Sequence, residues 1–416
     1  MELKRVVVTG LGAVTPLGLN KEETWKNLID GVSGSVMITH FDASKFKTKF
    51  ACEVKGFDPK NYLDRKEARK LDRYAQFALV SSEEAVKDSA IDLETINKDR
   101  VGVIWASGIG GITTFLEEAT SFVKGDGTPR FSPFFIPKMI SDIAAGHISI
   151  KYGFTGPNYG TVSACASSTT AMIDAFNLIR LGKADMFVTG GSEASINEAG
   201  IGGFNSMQAL STNNEEYKTA SRPFSKTRDG FVMGEGGVAV ILEEYEHAKA
   251  RGAKIYAELV GGGMSADAYH LTAPHPEGKG AEAVMRLTLD DANVSSDVVD
   301  YINVHGTATP LGDLSEAIAI ESLFGEHAYE LNISSTKSMT GHLLGAAGAM
   351  EAMAAIMSVY DDVVPPTINV EELDDRINPK LNLTLNKAQK RTVNYALSNT
   401  FGFGGHNASV LFKKMD

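Results

Sequence analysis

Short apolar, β-branched runs alternate with helix-patterned stretches along all 416 residues of the chain. Strands are predicted over 5–9, 101–106, 185–189, 238–242, 255–260, 301–304, 395–398 and 409–412. Helices are predicted over 21–30, 66–90, 168–181, 243–251, 280–291, 313–324 and 343–360. A strand–helix–strand rhythm of this length has few packed solutions, and it predicts a mostly parallel sheet covered by helices on both faces. Glycines gather just after the strands, at Gly108, Gly110 and Gly111, at Gly190 and Gly191, at Gly261 to Gly263, and at Gly402, Gly404 and Gly405. Tight exits at the carboxyl ends of strands are where such folds place chemistry. A faint duplication shows as well. Each half holds a strand, a turn rich in Ser and Thr, a helix of small and apolar residues, and another strand.

Composition narrows the function classes. A net charge of −12 argues against general nucleic-acid binding. The most apolar long stretch, 343–360, carries Glu351 in its middle and reads as a buried helix rather than a membrane span. The N-terminus enters a strand directly, with no signal-peptide pattern. Two cysteines make no disulfide framework. A cytoplasmic enzyme without membrane insertion is the expectation. The first glycines, Gly10 and Gly12, begin like a dinucleotide fingerprint, but Thr15 and Pro16 stand where its third glycine belongs. No phosphate loop and no histidine pair at metal-ligand spacing is present, so no metal and no bound cofactor are expected.

Cys165 is the residue most open to chemistry. It lies among Ala164, Ala166, Ser167 and Ser168, just ahead of a predicted helix. The free N–H groups and positive dipole end of a helix favour thiolate over thiol, and small neighbours let a carbonyl approach. Cys52, flanked by Ala51 and Glu53, reads as a strand residue. Three further strand exits carry reactive side chains: His305 before Gly306 and Thr307, Lys337 with Gly341 and His342, and Phe403 between Gly402 and Gly404. Two histidines, a lysine and a cysteine at the exits of one α/β sheet point to nucleophilic catalysis.

With these motifs in this order, the chain resembles the β-ketoacyl-[acyl-carrier-protein] synthases, of the elongating type II kind, across essentially its whole length. The resemblance implies a thiolase-like five-layer α-β-α-β-α fold built from two related halves, 1–251 with the nucleophilic cysteine and 252–416 with both histidines and the lysine. It implies a decarboxylative condensation of malonyl-carrier with an acyl group held as a thioester on Cys165. The backbone N–H groups of Cys165 and Phe403 would hold the oxyanion. His305 and His342, both neutral, would hold the malonyl thioester carbonyl as it becomes an enolate. Lys337 would support the histidines and pair with Glu351, which cannot be left alone in an apolar helix. Phe403 would gate the cysteine, Phe204 and Ile109 would line the acyl pocket, and Thr307 and Thr309 would bind the phosphopantetheine arm of acyl carrier protein. Asp313 would be a supporting residue. A homodimer is implied too.

Docking of that acidic carrier has a reading of its own. Lys66, Arg69, Lys70 and Arg73 fall at i, i+3, i+4 and i+7, one basic stripe if the segment is a single helix, with Leu71, Tyr74, Phe77 and Ala78 on the apolar side. Two positions depart from the resemblance: Gln208 where an arginine can stand, and His406 where threonine is common. Other readings stay open. A silent chain-length partner would have lost the nucleophile, and a polyketide-type ketosynthase would share this machinery. The initiating synthase pairs cysteine with His and Asn, against His342 here. A thiolase needs a second active-site cysteine, which Cys52 does not supply.

Overall fold

A computed structural model describes residues 3–415. Ten strands form one hydrogen-bonded sheet: β1 (Val6–Val14), β2 (Val101–Ala106), β3 (Asn158–Thr161), β4 (Met186–Glu193), β5 (Gly236–Glu244), β6 (Ala257–Ala266), β7 (Tyr301–Asn303), β8 (Asn332–Ser334), β9 (Tyr395–Gly402) and β10 (His406–Lys413). Their order is β8-β7-β9-β10-β6-β1-β5-β4-β2-β3. The order contains the duplication. In the first half β3, β2 and β4 run parallel, then β5 and β1 antiparallel. In the second, β8, β7 and β9 run parallel, then β10 and β6 antiparallel. The two halves join edge to edge where Val6 to Val8 pair with Leu259 to Ala257. The sheet is thus mixed rather than mostly parallel. Only Phe403, Gly404 and Gly405 separate β9 from β10, and a connection that short allows only an antiparallel pair.

Side-chain alternation turns the sheet into layers. Val238, Val240 and Leu242 of β5 face inward with Val410 and Phe412 of β10, against two central helices, α3 (Ser167–Arg180) and α6 (Ala347–Asp361). Ala239 and Ile241, on the other face of β5, meet α1 (Arg73–Asp88) and α2 (Ile143–Tyr152). Ile302, Leu397 and Leu411 on the outer face of the second half meet α4 (Lys279–Ala292) and α5 (Pro310–Phe324). Helix, strand, helix, strand, helix is the five-layer thiolase-like arrangement. Each fully buried aliphatic side chain in it contributes about 1.5–3 kcal/mol. The central helices are apolar nearly all round because sheet covers both sides of them.

The predicted helix over 66–90 is two helices. A short turn, Arg65–Ala68, ends before α1 begins at Arg73. Asp72 is the reason. Its carboxylate caps Tyr74 N–H and accepts from Thr114 N and Oγ1 at 2.9 and 2.6 Å, so the chain turns into a cap where a continuous stripe would need a helix. Arg73 leaves the stripe and forks onto buried Glu235, with Nη2–Oε1 2.8 Å and Nε–Oε2 3.0 Å. Lys70 is half-buried and bonds Glu67, whereas Lys66 and Arg69 stay exposed. Leu71, Tyr74, Phe77 and Ala78 are buried as expected.

Candidate active site

The equivalent turns of the two halves meet over the central helices. β3 leads to Cys165 and then α3; β8 leads through the short helix Lys337–Thr340 to His342 and then α6. The exit of β7 delivers His305, and the β9–β10 turn delivers Phe403. Non-glycine residues in the left-handed region mark three of these turns: Ala164 (φ 51°), Ala308 (φ 66°) and Leu344 (φ 48°). Such strain persists where surrounding structure holds it, and it clusters at sites that must aim a side chain. At Gly402 a Cβ would lie 2.7 Å from Ser163 O and 3.1 Å from the Cys165 nitrogen. Glycine there lets β9 close onto the cysteine turn.

One ligating atom each of Cys165, His305 and His342 lies within 4.8 Å of the others. His342 Nε2 is 3.0 Å from Cys165 Sγ. The tautomer follows from the opposite side of that ring. Leu344 N–H donates to His342 Nδ1 at 3.3 Å, so in a neutral ring the proton sits on Nε2 and points at the sulfur. Both histidines are held neutral: burial pushes each well below the ordinary histidine value, and the nearby Lys337 charge adds to this.

The cysteine differs from the sequence expectation. Burial raises the Cys165 thiol from 9.0 to about 12, against the pull of Lys337 and the Phe403 N–H. Three pK steps are worth about 4 kcal/mol, whereas a helix end supplies at most about 2 kcal/mol even when partly buried. Desolvation is the larger of the two and pushes Cys165 toward the thiol.

Lys337 and Glu351 form a buried ion pair behind the histidines. Burial pushes Glu351 up to about 7, with Lys337 opposing. Asp313 does not line the site. It accepts from the N–H groups of Phe224 and Ala308 at 2.8 and 3.1 Å and pairs with Arg228, fixing the turn after His305. Two carboxylates that the sequence reading passed over hold the same loops. Glu316 accepts from the backbone of His305 and Gly306 at 2.9 Å each. Glu193 closes β4 beneath Gly108 and Gly345. The sequence signals were present: Glu316 is one helical turn past Asp313, and Glu193 ends a buried strand just after Gly190 and Gly191.

A cavity of about 490 Å³ opens over the sulfur, lined by Cys165, His305, His342, Phe403, Phe204 and Ile109, and by Thr307 and Thr309. The rings of Phe204 and Phe403 lie 6.3 Å apart. Thr307 and Thr309 share a hydrogen bond of 3.0 Å. Gln208 also lines this cavity, in the left-handed region at φ 56°. Exposed His406 lies at the start of β10, against Gly404. Lys66, Arg69 and Lys70 do not line the cavity. Among the described residues no helix is long and apolar enough to cross a membrane.

Comparison with known proteins agrees with this geometry. Residues 3–248 match the beta-ketoacyl synthase N-terminal domain, and residues 256–371 the C-terminal domain. The chain is 48% identical over 413 residues to 3-oxoacyl-[acyl-carrier-protein] synthase 2 of Staphylococcus aureus, covering 99% of both chains. It superposes on a beta-ketoacyl synthase from Burkholderia phymatum with a TM-score of 0.92 at 35% identity, over 99% of this chain and 100% of that one. It superposes equally well on the ketosynthase of a type II polyketide system solved with its acyl-carrier protein, with a TM-score of 0.91 at 34% identity and complete coverage of both chains. A duplicated five-layer fold that gathers one cysteine and two neutral histidines into a single cavity, matched by both domains in sequence, places the chain in the beta-ketoacyl synthase family.

Proposed function

We propose that the chain elongates acyl groups on acyl carrier protein by decarboxylative condensation, as a 3-oxoacyl-[acyl-carrier-protein] synthase. The observation that carries this reading is the meeting of Cys165 Sγ with two uncharged imidazoles, one of which presents Nε2–H to the sulfur. The thiol of Cys165 attacks the acyl-carrier thioester. The acyl–sulfur bond re-forms on Cys165, and the carrier sulfur leaves with the proton. The oxyanion of that step sits at the N–H groups of Cys165 and Phe403. Malonyl-carrier then enters, its thioester carbonyl between His305 and His342. Carbon dioxide leaves, and the electron pair becomes an enolate held by the two N–H donors. Because neither imidazole is charged, neither has a proton to give up to that carbanion. The enolate carbon attacks the Cys165 thioester, the acyl–sulfur bond breaks, the Cys165 sulfur takes up a proton from solvent to return to the thiol, and the product departs two carbons longer. Lys337, tied to Glu351, adds to burial in keeping both histidines uncharged. Phe204, Ile109 and Phe403 form the acyl wall and its gate, and Thr307 and Thr309 receive the phosphopantetheine arm. No cofactor of the chain's own enters these steps.

The test is product analysis with purified acyl-carrier and malonyl-carrier donors. A 3-oxoacyl product two carbons longer, with one carbon dioxide per turnover, supports the reading; carbon dioxide without a longer acyl product contradicts it. His342→Ala is expected to slow malonyl decarboxylation by roughly 10²–10³-fold, the effect of losing one oxyanion donor, while acyl loading falls far less. Equal losses in both steps, seen by single-turnover quench, contradict the role.

The carrier is expected to dock on the exposed cations Lys66 and Arg69, with Lys70 beside them. Reversing Lys66 and Arg69 to Glu raises KM for carrier-borne substrate about tenfold, through lost steering, and leaves small-thioester reactivity unchanged; parallel changes in both contradict docking there. The halves 1–251 and 252–416 act as one unit, since each supplies part of the site. A homodimer fits the sheet end at β3, an open edge with Tyr159 exposed along it and Val162 just beyond. The cytoplasm suits two buried free thiols, Cys52 and Cys165.

A further inference from the structure

Glu193 is wholly buried, and the condensation steps give it no role. Its carboxylate is nevertheless heavily bonded. One oxygen accepts from Ser107 Oγ at 3.0 Å, Ile109 N–H at 3.2 Å and, more weakly, Ser195 Oγ at 3.5 Å. The other accepts from Gly108 N–H at 2.7 Å and Gly345 N–H at 3.0 Å. The two loops it joins come together more closely than side chains allow. A Cβ on Gly345 would lie 2.2 Å from the Gly108 nitrogen, and one on Gly108 would lie 2.9 Å from the carboxylate itself. Burial pushes this carboxyl upward, and the N–H groups of Gly108 and Gly345 pull it back.

The loops differ in what they carry. Ile109, in the first, lines the cavity that takes the acyl chain. Gly345, in the second, directly follows Leu344, whose left-handed backbone aims its N–H at His342 Nδ1. That N–H decides which ring nitrogen of His342 keeps the proton. We propose that Glu193 is a positioning residue that ties the acyl wall at Ile109 to the turn that sets the His342 proton, so that an acyl chain lodged against Ile109 holds His342 ready for malonyl. The inference rests on the condensation reading and names a coupling within it. A carboxylate suits the task because it accepts from both sides at once. A glutamine must turn its NH₂ toward one pair of donors, and so loses either the N–H of Ile109 or the oxygen that bridges Gly108 and Gly345.

The test uses the intact protein with Cys165 loaded by short or long acyl groups, followed by one turnover with malonyl-carrier. In the wild type, carbon dioxide release is expected to be faster with the long acyl group. Glu193→Gln is expected to slow that release about tenfold, a coupling-sized effect, to flatten its dependence on acyl length, and to leave loading within about threefold. Nitrogen-15 spectra of His342 are expected to lose the single Nε2–H tautomer. Should Glu193→Gln fail to fold, Ser107→Ala, which removes one bond to the carboxylate, carries the same comparison with the same sign. Loading and release falling by one common factor, no acyl-length dependence in the wild type, or an unchanged His342 tautomer would each overturn the coupling alone. A wild-type protein that takes no acyl group on Cys165 overturns the condensation reading, and the coupling with it.

Discussion

Cys165→Ala loses condensation by on the order of 10⁴-fold or more, the size expected when the nucleophile of a covalent mechanism is removed. No neighbour can substitute. The other free cysteine, Cys52, is buried beside Gly341 and Met339, its thiol pushed up to about 12 by burial. The substitution removes a single sulfur from a site bordered by a cavity, so it costs less than about 1 kcal/mol of stability. Melting temperature therefore stays near that of the wild type while turnover disappears. A variant that melts far lower would show the cysteine to be a packing residue; one that keeps measurable turnover would show the nucleophile to lie elsewhere.

Lys337→Met is expected to damage stability and activity together. Breaking a buried ion pair by removing one partner costs about 3–5 kcal/mol, because the remaining charge loses its compensation. Here the remaining group is Glu351, inside α6 between two faces of sheet, with one carboxylate oxygen already lacking a hydrogen-bond partner among the described residues. The pH dependence has a definite sign. Burial holds the folded Glu351 above its ordinary value of 4.5, at about 7 even with Lys337 present. The folded variant thus binds a proton that the unfolded chain releases above 4.5. Up to about pH 7 both folded proteins hold that proton, so the variant's deficit against the wild type widens only above about 7, by up to about 1.4 kcal/mol per pH unit, as the wild-type carboxylate ionises beside Lys337 and the variant's cannot. Chemical denaturation between pH 5 and 8 reads this directly. The double variant Lys337→Met with Glu351→Gln should recover most of the stability but not the full activity, since His305 and His342 still lack the charge that adds to burial in keeping them neutral. If the single variant is as stable as the wild type at pH 8, the pair is not an isolated buried couple.

Much of this was legible in the sequence because it depends on local chemistry. The duplication was readable from two Ser/Thr-rich turns, and the structure shows why: the turn carrying Cys165 and the turn carrying Lys337 and His342 occupy equivalent places after β3 and β8. Glu351 demanded a partner simply by being ionisable in an apolar helix. What the sequence concealed depends on distant groups. The stripe from Lys66 to Arg73 needed an unbroken helix, and the Asp72 cap is completed by Thr114, 42 residues away. The antiparallel strands looked like their parallel neighbours because both are covered on two faces. A thiolate was expected from the start of α3, but how deeply Cys165 is buried depends on Phe403 and His342, which no local pattern reports. Glu193 was invisible for the same reason, since its donors come from loops 85 and 152 residues away.

The measurement that bears most directly on the account is peptide-resolved mass spectrometry of the wild-type protein after brief exposure to an acyl-carrier donor. The account predicts one added acyl group, on the peptide that contains Cys165, and its disappearance once malonyl-carrier is supplied. An acyl group on any other peptide, or one on Cys165 that malonyl-carrier fails to discharge, would contradict it.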